Sequence, residues 1–255
     1  MMFDLSGKTA FITGGAGLLG EKYAEAIIEH GGVAIIADND KLATERVAKS
    51  LGKNAIPLSV DITDKEMLEH SVKQFSKIDI LINNAAKDPK PDNMSNETKF
   101  ENMSMEYWLD GLDVALNGTF LCSQIISQKM IQAGGGVILN ISSDLGIIAP
   151  DQRIYDKNTP KPITYSASKW AIIGMTKYLA TYFADKNIRV NSLCPAGVFK
   201  ESFPDDFVNR LTNLIPMGRM ASADDYKGAI VFMCSDASSY MTGTNLIIDG
   251  GRTTW

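Results

Sequence analysis

The first forty residues narrow the possible folds most. The apolar run 8–13 (Lys-Thr-Ala-Phe-Ile-Thr) breaks into Gly14-Gly15-Ala16-Gly17-Leu18-Leu19-Gly20, and a helical pattern then runs to about residue 30. Gly31-Gly32 closes that helix, and a second apolar run, 33–37, ends at Asp38. The start of a helix leaves backbone N–H groups unpaired and carries the positive end of the helix dipole, so it attracts a phosphate. Glycines let the main chain approach that phosphate closely, and an acid about twenty residues on suits a ribose hydroxyl. Gly14, Gly17, Leu18, Leu19 and Gly20 are therefore candidate dinucleotide contacts, although the spacing is G-x-x-G-x-x-G rather than G-x-G-x-x-G. Asp38 bears on which dinucleotide binds. A carboxylate repels a 2′-phosphate, and Asn39 and Asp40 bring no cation to hold one, so NAD is expected over NADP.

The rest of the chain repeats the strand–helix unit. Helix is expected over 41–51 and strand over 55–60, ending at Asp61-Ile62. A helix capped by Asp64 should run to about residue 76, followed by a strand over 78–82 that ends at Asn83-Asn84-Ala85-Ala86. Residues 87–99 are polar and Pro-rich and read as an exposed loop. A long helical pattern covers 105–132, with Trp108, Leu112, Leu116, Phe120 and Ile125 as its buried stripe and Asn117 polar within it. Strand 137–141 ends at Ser142-Ser143. The stretch 144–163, broken by Pro160 and Pro162, reads as a long loop. A helix over 165–185 precedes strand 188–193, which ends at Cys194-Pro195-Ala196-Gly197. A short helix over the site (205–214), a helix over 223–235 and a last strand within 243–251 complete the chain. This alternation specifies one α/β domain over residues 1–255, a doubly wound parallel sheet of about seven strands flanked by helices. In such sheets ligands bind beyond the C-terminal strand ends, where this chain gathers polar and small residues.

Tyr165 and Lys169 stand four apart at the start of a helix, so they share one face. A free phenol has a pKa near ~10, and a neighbouring ammonium favours the phenolate, which makes a usable proton donor and acceptor. Tyr-x-x-x-Lys alone arises often on solvated helix faces; its company here changes its weight.

Thr13-Gly14…Gly20, Asn83-Asn84-Ala85-Ala86, Asn117, Ser142-Ser143, Tyr165-x-x-x-Lys169, Arg189-Val190-Asn191…Pro195 and Ile248-Asp249-Gly250-Gly251 occur in one order. Together they resemble the short-chain dehydrogenase/reductase superfamily over essentially the whole chain. The resemblance implies a Rossmann-type fold and a set of roles. Tyr165 would give or take the proton on the reacting oxygen. Lys169 would lower its pKa and bond the nicotinamide ribose, Ser143 would orient the substrate, and Asn117 would hold a water behind Lys169. Asp144-Leu-Gly after the serine pair favours Ser143; Ser142 is the alternative one residue away. Asp38 would hold the adenosine ribose, Asp61 and Ile62 the adenine, and Asn83 the neighbouring ribose region. Ala85, Pro195, Gly197 and Val198 would also line the cofactor. Within the superfamily, 85–90, 149–155 and 214–220 resemble flagellin modification protein A and other surface-polysaccharide oxidoreductases. Asn-Asn-Ala-Ala and Pro-Ala-Gly replace the family's Asn-Asn-Ala-Gly and Pro-Gly, and the interval from Ser143 to Tyr165 is longer than usual. A homotetramer or homodimer is also implied, with the last strand and the 223–235 helix at one interface.

A net charge of −5 over 255 residues argues against nucleic-acid or anionic-membrane partners. The N-terminus lacks a signal-peptide pattern, and three widely spaced cysteines fit buried thiols, so a cytoplasmic protein is expected. His30 and His70 have no ligand cluster around them, and no metal is expected. Cys194 reads as a buried thiol. Arg153, Lys157 and Lys161 are candidates to meet a phosphate or carboxylate at the mouth of the site, with Arg153 and Tyr155 as substrate contacts. The leading reading is an NAD-dependent oxidoreductase that interconverts a secondary alcohol and a ketone on a sugar or sugar derivative, in surface-glycan (nonulosonate) synthesis. The rivals are a 3-oxoacyl thioester reductase and a catalytically silent dinucleotide sensor.

Overall fold

The computed structural model describes residues 2–87, 98–156 and 159–255. Seven strands form one sheet in the order β3-β2-β1-β4-β5-β6-β7, all neighbours parallel: β1 (Thr9–Thr13), β2 (Val33–Asp38), β3 (Ala55–Ser59), β4 (Ile80–Asn83), β5 (Gly136–Ile141), β6 (Ile188–Pro195) and β7 (Asn245–Ile248). The helices are α1 (Leu18–Glu29), α2 (Lys41–Leu51), α3 (Lys65–Lys73), α4 (Met105–Leu112), α5 (Thr119–Gln132), α6 (Ile163–Tyr182), α7 (Asp205–Thr212) and α8 (Lys227–Cys234). The chain is a single-domain, doubly wound α/β fold. No helix among the described residues is long and apolar enough to cross a membrane.

Strand side chains alternate between faces, and both faces of this sheet are apolar, which is why the strands read as continuous hydrophobic runs. Ile35, Phe11, Leu81, Ile138 and Val190 stand in register across five strands and pack with Leu68 of α3, Ile126 and Met130 of α5 and Ala180 of α6. One residue along each strand, Ile36, Ile12, Ile82 and Leu139 face the other way. They meet Tyr23 and Ile27 of α1, Val47 of α2 and Ile230 of α8.

The expected single helix over 105–132 is not what forms. Residues Asp113–Gly118 are π-helical and separate α4 from α5. The wider turn rotates the following face, so the buried residues of α5 are Thr119, Cys122, Ser123, Ile126, Ser127 and Met130. Phe120, expected in the stripe, is 50% exposed. The last expected helix likewise opens with a 3-10 turn, Ala223–Tyr226, before α8. Of the Pro-rich loop, residues 88–97 lie outside the described residues.

Asn191 on β6 is buried, and it ties the turn before β7 to the sheet. Its Nδ2 donates to the Met241 carbonyl at 2.8 Å, and its Oδ1 accepts from the Thr244 N–H at 3.0 Å. Asn191→Leu keeps the volume and leaves the Thr244 N–H unpaired, while the Met241 carbonyl keeps its bond from Arg189 Nη1 at 3.2 Å. Urea denaturation should show a loss of about 1–3 kcal/mol, the cost of one stranded buried group. A loss within the ~0.5 kcal/mol typical of surface changes would contradict this account.

Candidate active site

The C-terminal strand ends open on a cleft of about 580 Å³. At its dinucleotide end, Gly14, Gly17, Leu18 and Leu19 line the wall, with Asp38, Asp61, Ile62 and Ala85 beside them. The N-terminus of α1 faces this space with Gly17 at the cap and no side chain bonded to its first N–H groups. Gly14 has φ +61°, and a Cβ there would stand 2.9 Å from the Ala85 Cα. Gly20 does not line the cleft. Its Cβ would lie 2.1 Å from the Gly14 carbonyl oxygen, so its absence lets the helix sit on the loop. Asp38 takes the Ala16 N–H at 3.3 Å through Oδ2 and presents its carboxylate to the cleft. Asn84 secures the loop from below, donating through Nδ2 to the carbonyls of Thr13 (3.0 Å) and Gly14 (3.1 Å). Uncapped N–H groups, a loop with no room for side chains and a strand-end carboxylate fit a dinucleotide.

Ser143, Tyr165, Lys169 and Tyr155 meet at the other end, with Pro195, Gly197 and Val198 between the two ends. Lys169 is 4% exposed, and its Nζ donates to the Ile141 carbonyl at 2.9 Å while lying 5.7 Å from the centre of the Tyr165 ring. Lys161 brings a second ammonium, 3.9 Å over that ring. The two serines differ sharply. Ser142 Oγ donates to the Lys169 carbonyl at 2.8 Å and serves to fasten α6, while Ser143 Oγ donates to Asp144 Oδ1 at 2.8 Å.

Besides Gly20, three sequence-derived residues stand elsewhere. Asn83 is turned into the sheet, where its Nδ2 donates to Asn140 Oδ1 (2.8 Å) and Ser123 Oγ (3.1 Å); its neighbour Asn84 reaches the cleft instead. Asn117, in the π-helical segment, is exposed and donates to Asp113 Oδ1 at 2.9 Å; Val114 is the residue of that segment that lines the cleft. Arg153 is 88% exposed and bound to Asp151, whose carboxyl it holds down at a pKa of about 2; it does not line the cleft. Lys157 lies outside the described residues.

The sequence placed a substrate-side lid over 198–220 with a short helix at 205–214 but named no residue of it; Lys200, Phe203, Phe207, Leu211 and Met220 line the cleft there, as do Asp144 and Arg252. Phe203, Phe207 and Leu211 recur at helical spacing, which picks out the face of that helix turned to the cleft. Residues 198–220 return on themselves through a Val198–Ala221 bridge, and Leu211, Ile215 and Met220 pack with Ile154 from the 144–163 stretch. Both long connections thus build the substrate-side wall.

A family described as enoyl-(acyl carrier protein) reductase matches residues 15–253. The chain belongs to the short-chain dehydrogenase/reductase family. It is an oxidoreductase of that type, and the family binds NAD(P). An NAD-dependent glycerol dehydrogenase of Listeria innocua is 35% identical over 259 residues, 98% of this chain and 96% of the relative. A 3-oxoacyl-[acyl-carrier-protein] reductase of Thermotoga maritima is 32% identical over 97% of this chain and 98% of its own length. Among solved structures, a gluconate 5-dehydrogenase from Burkholderia cenocepacia, in complex with NADP and tartrate, superposes with a TM-score of 0.88 at 27% identity, covering 100% of this chain and 98% of the other.

Cys194 lies behind Ser143, and burial pushes its thiol up, as it does for Cys122; Cys234 rises to about 12. A raised pKa keeps a thiol protonated and inert at pH 8. Ellman's reagent at that pH should titrate none of the three thiols in the native protein within minutes and all three in guanidinium chloride. Rapid native reaction at Cys194 would contradict its burial.

Proposed function

We propose that this oxidoreductase is an NAD-dependent dehydrogenase of a sugar or sugar-derived polyol, interconverting a secondary alcohol and a ketone. The observation that carries the reading is a single cleft with Asp38 at one end and Ser143, Tyr165 and Lys169 at the other. Tyr165 takes the hydroxyl proton, and Lys169, close to the ring and dry, favours the phenolate that accepts it. Ser143 holds the substrate against Tyr165. Bound NAD would accept hydride from the carbinol carbon, so the alcohol loses H⁻ to the cofactor and H⁺ to Tyr165. Gly14, Gly17, Leu18 and Leu19 would hold the pyrophosphate, Asp38 the adenosine ribose, Asp61 and Ile62 the adenine, and Ala85, Pro195, Gly197 and Val198 the nicotinamide half.

Asp38 supports NAD because its carboxylate opposes a 2′-phosphate, and a glycerol dehydrogenase named for NAD is among the relatives. The polyol class is supported by that relative and by the gluconate 5-dehydrogenase. A role in surface-glycan synthesis rests on the motif resemblance at 85–90, 149–155 and 214–220, and residues 88–90 of that set lie outside the described residues. Three buried, unpaired cysteines support a reducing, cytoplasmic setting. Exposed Phe120, Trp170, Tyr178 and Ile247 support a homo-oligomer, a tetramer or dimer.

Absorbance of NADH checks the reading. With NAD, turnover is expected on polyols, sugar phosphates or sugar acids, and none with a 3-oxoacyl thioester and NADPH; turnover only in the second arm would install the acyl reductase instead. Tyr165→Phe should cut kcat by about 10²–10⁴, while NAD still quenches intrinsic fluorescence. A second variant addresses the cofactor: Asp38→Arg should move preference toward NADP by 10-fold or more, about 1.4 kcal/mol. An unchanged ratio would remove Asp38 from the ribose.

A further inference from the structure

The 144–163 stretch delivers a second ammonium to Tyr165 and fixes the backbone that carries it. Lys161 lines the cleft, with its Nζ 3.9 Å from the centre of the Tyr165 ring. Pro160 and Pro162 flank it, and a residue that precedes a proline is confined to extended backbone. The Gln152 side chain then clasps the same residue twice. Its Oε1 accepts the Lys161 N–H at 3.0 Å, and its Nε2 donates to the Lys161 carbonyl at 3.1 Å. A lysine that only solvates a loop needs no such fixing.

Proton transfer does not call for this lysine, because Lys169 already brings an ammonium to the phenol from α6. Lys161 comes instead from the connection that builds the substrate-side wall, and the charge around it has one sign. Among the described residues lining this end of the cleft, the cations are Lys161, Lys169, Lys200 and Arg252. The acid is Asp144, which is already paired with Arg252. The whole chain carries a net charge of −5, so this positive excess is local. The rest of the wall is largely apolar. Tyr155 and Phe207 stand 5.7 Å apart between ring centres, Phe207 and Phe203 5.4 Å, and the Lys200 Nζ is 5.7 Å from the Phe203 ring. Low-dielectric walls focus the field of like charges and strengthen their pull on an anion. A neutral polyol makes no use of that field.

We propose that Lys161, placed by the positioning residue Gln152, binds an anionic group of the substrate, a carboxylate or a phosphate, so that the enzyme prefers a sugar acid or sugar phosphate to the neutral polyol. The inference rests on the polyol reading and narrows it. NADH formation from NAD gives kcat/KM on two matched sets: glucitol against gluconate and glucitol phosphate, and glycerol against glycerate and glycerol phosphate. In at least one set an anionic member should exceed its neutral twin by about 10-fold or more, the worth of a charge-assisted hydrogen bond. Whether carboxylate or phosphate leads identifies the group. Lys161→Met should lower that anionic-to-neutral ratio by about 10-fold, and Lys161→Arg, which keeps the charge, should retain most of it. Any action of Lys161 on Tyr165 falls on both substrates alike and cancels in the ratio. Gln152→Ala, at an exposed position, should lower the ratio too, chiefly through KM. Should Lys161→Met fail to fold, as checked by its thermal midpoint and NAD binding, salt on the wild type gives the same reading: going from about 0.05 to about 0.5 M should weaken kcat/KM several-fold more for the anionic substrate than for its twin. A wild-type ratio near one, or a ratio unmoved in folded Lys161→Met, overturns the anion site and leaves the polyol reading standing. Silence on every member of both sets overturns both.

Discussion

The site depends on how β5 is strapped to α6. Asn140 Nδ2 donates to Thr176 Oγ1 at 2.9 Å, Ser142 Oγ to the Lys169 carbonyl at 2.8 Å, and Lys169 Nζ back to the Ile141 carbonyl at 2.9 Å. Tyr165, Lys169 and Thr176 are four and seven apart, so one helix face carries both the fastening and the chemistry. Every strap is buried, where a lost partner would leave a polar group without water. The orientation of Tyr165 toward Ser143 is therefore fixed by the packing of the sheet rather than by a mobile loop. Asn140 also accepts from Asn83, so the same network reaches β4 and the turn that faces the dinucleotide end.

The two ends of the cleft are built from different physics. At the dinucleotide end the protein offers backbone: the open N-terminus of α1 and a glycine loop pinned by Asn84, with Asp38 as the one charged side chain of β2. At the catalytic end it offers side chains, with Lys161, Lys169 and Arg252 against Asp144. Main chain can be specified by where side chains are absent, whereas a side-chain site needs each group placed by something else. That difference explains why the first end is a local motif and the second draws on residues 143, 165 and 252.

Local features were legible in the sequence for the same reason. The glycine loop, the acid at the end of β2, the Asp64 cap and the seven strands each depend on residues adjacent in sequence, and the structure places them within a few residues of expectation. Ser143, Tyr165 and Lys169 were legible through family spacing, and the cleft brings them together. The π-helical segment was not legible, because the same apolar spacing serves a continuous helix, and the one-residue widening shows only in what α5 buries. The fate of Asn83 and Asn84 was ambiguous for a related reason. Consecutive strand residues face opposite ways, and sequence does not say which of two identical side chains faces the cleft.

Asp144 and Arg252 show where sequence reading ends. They lie 108 positions apart, and although Asp144 follows the serine pair, nothing in the sequence joins it to Arg252. Their burial is also the observation least explained by stability. Removing two charges from water costs several kcal/mol per ion, and apolar side chains of similar volume fill such a space at least as well. A chain selected only to fold has no reason to keep them. They sit in the cleft wall, where Asp144 accepts from Ser143 and the Asp249-Gly250-Gly251 turn brings Arg252 against its other oxygen. A buried pair that costs stability and bonds the serine of the cleft is explained by the site rather than by the fold.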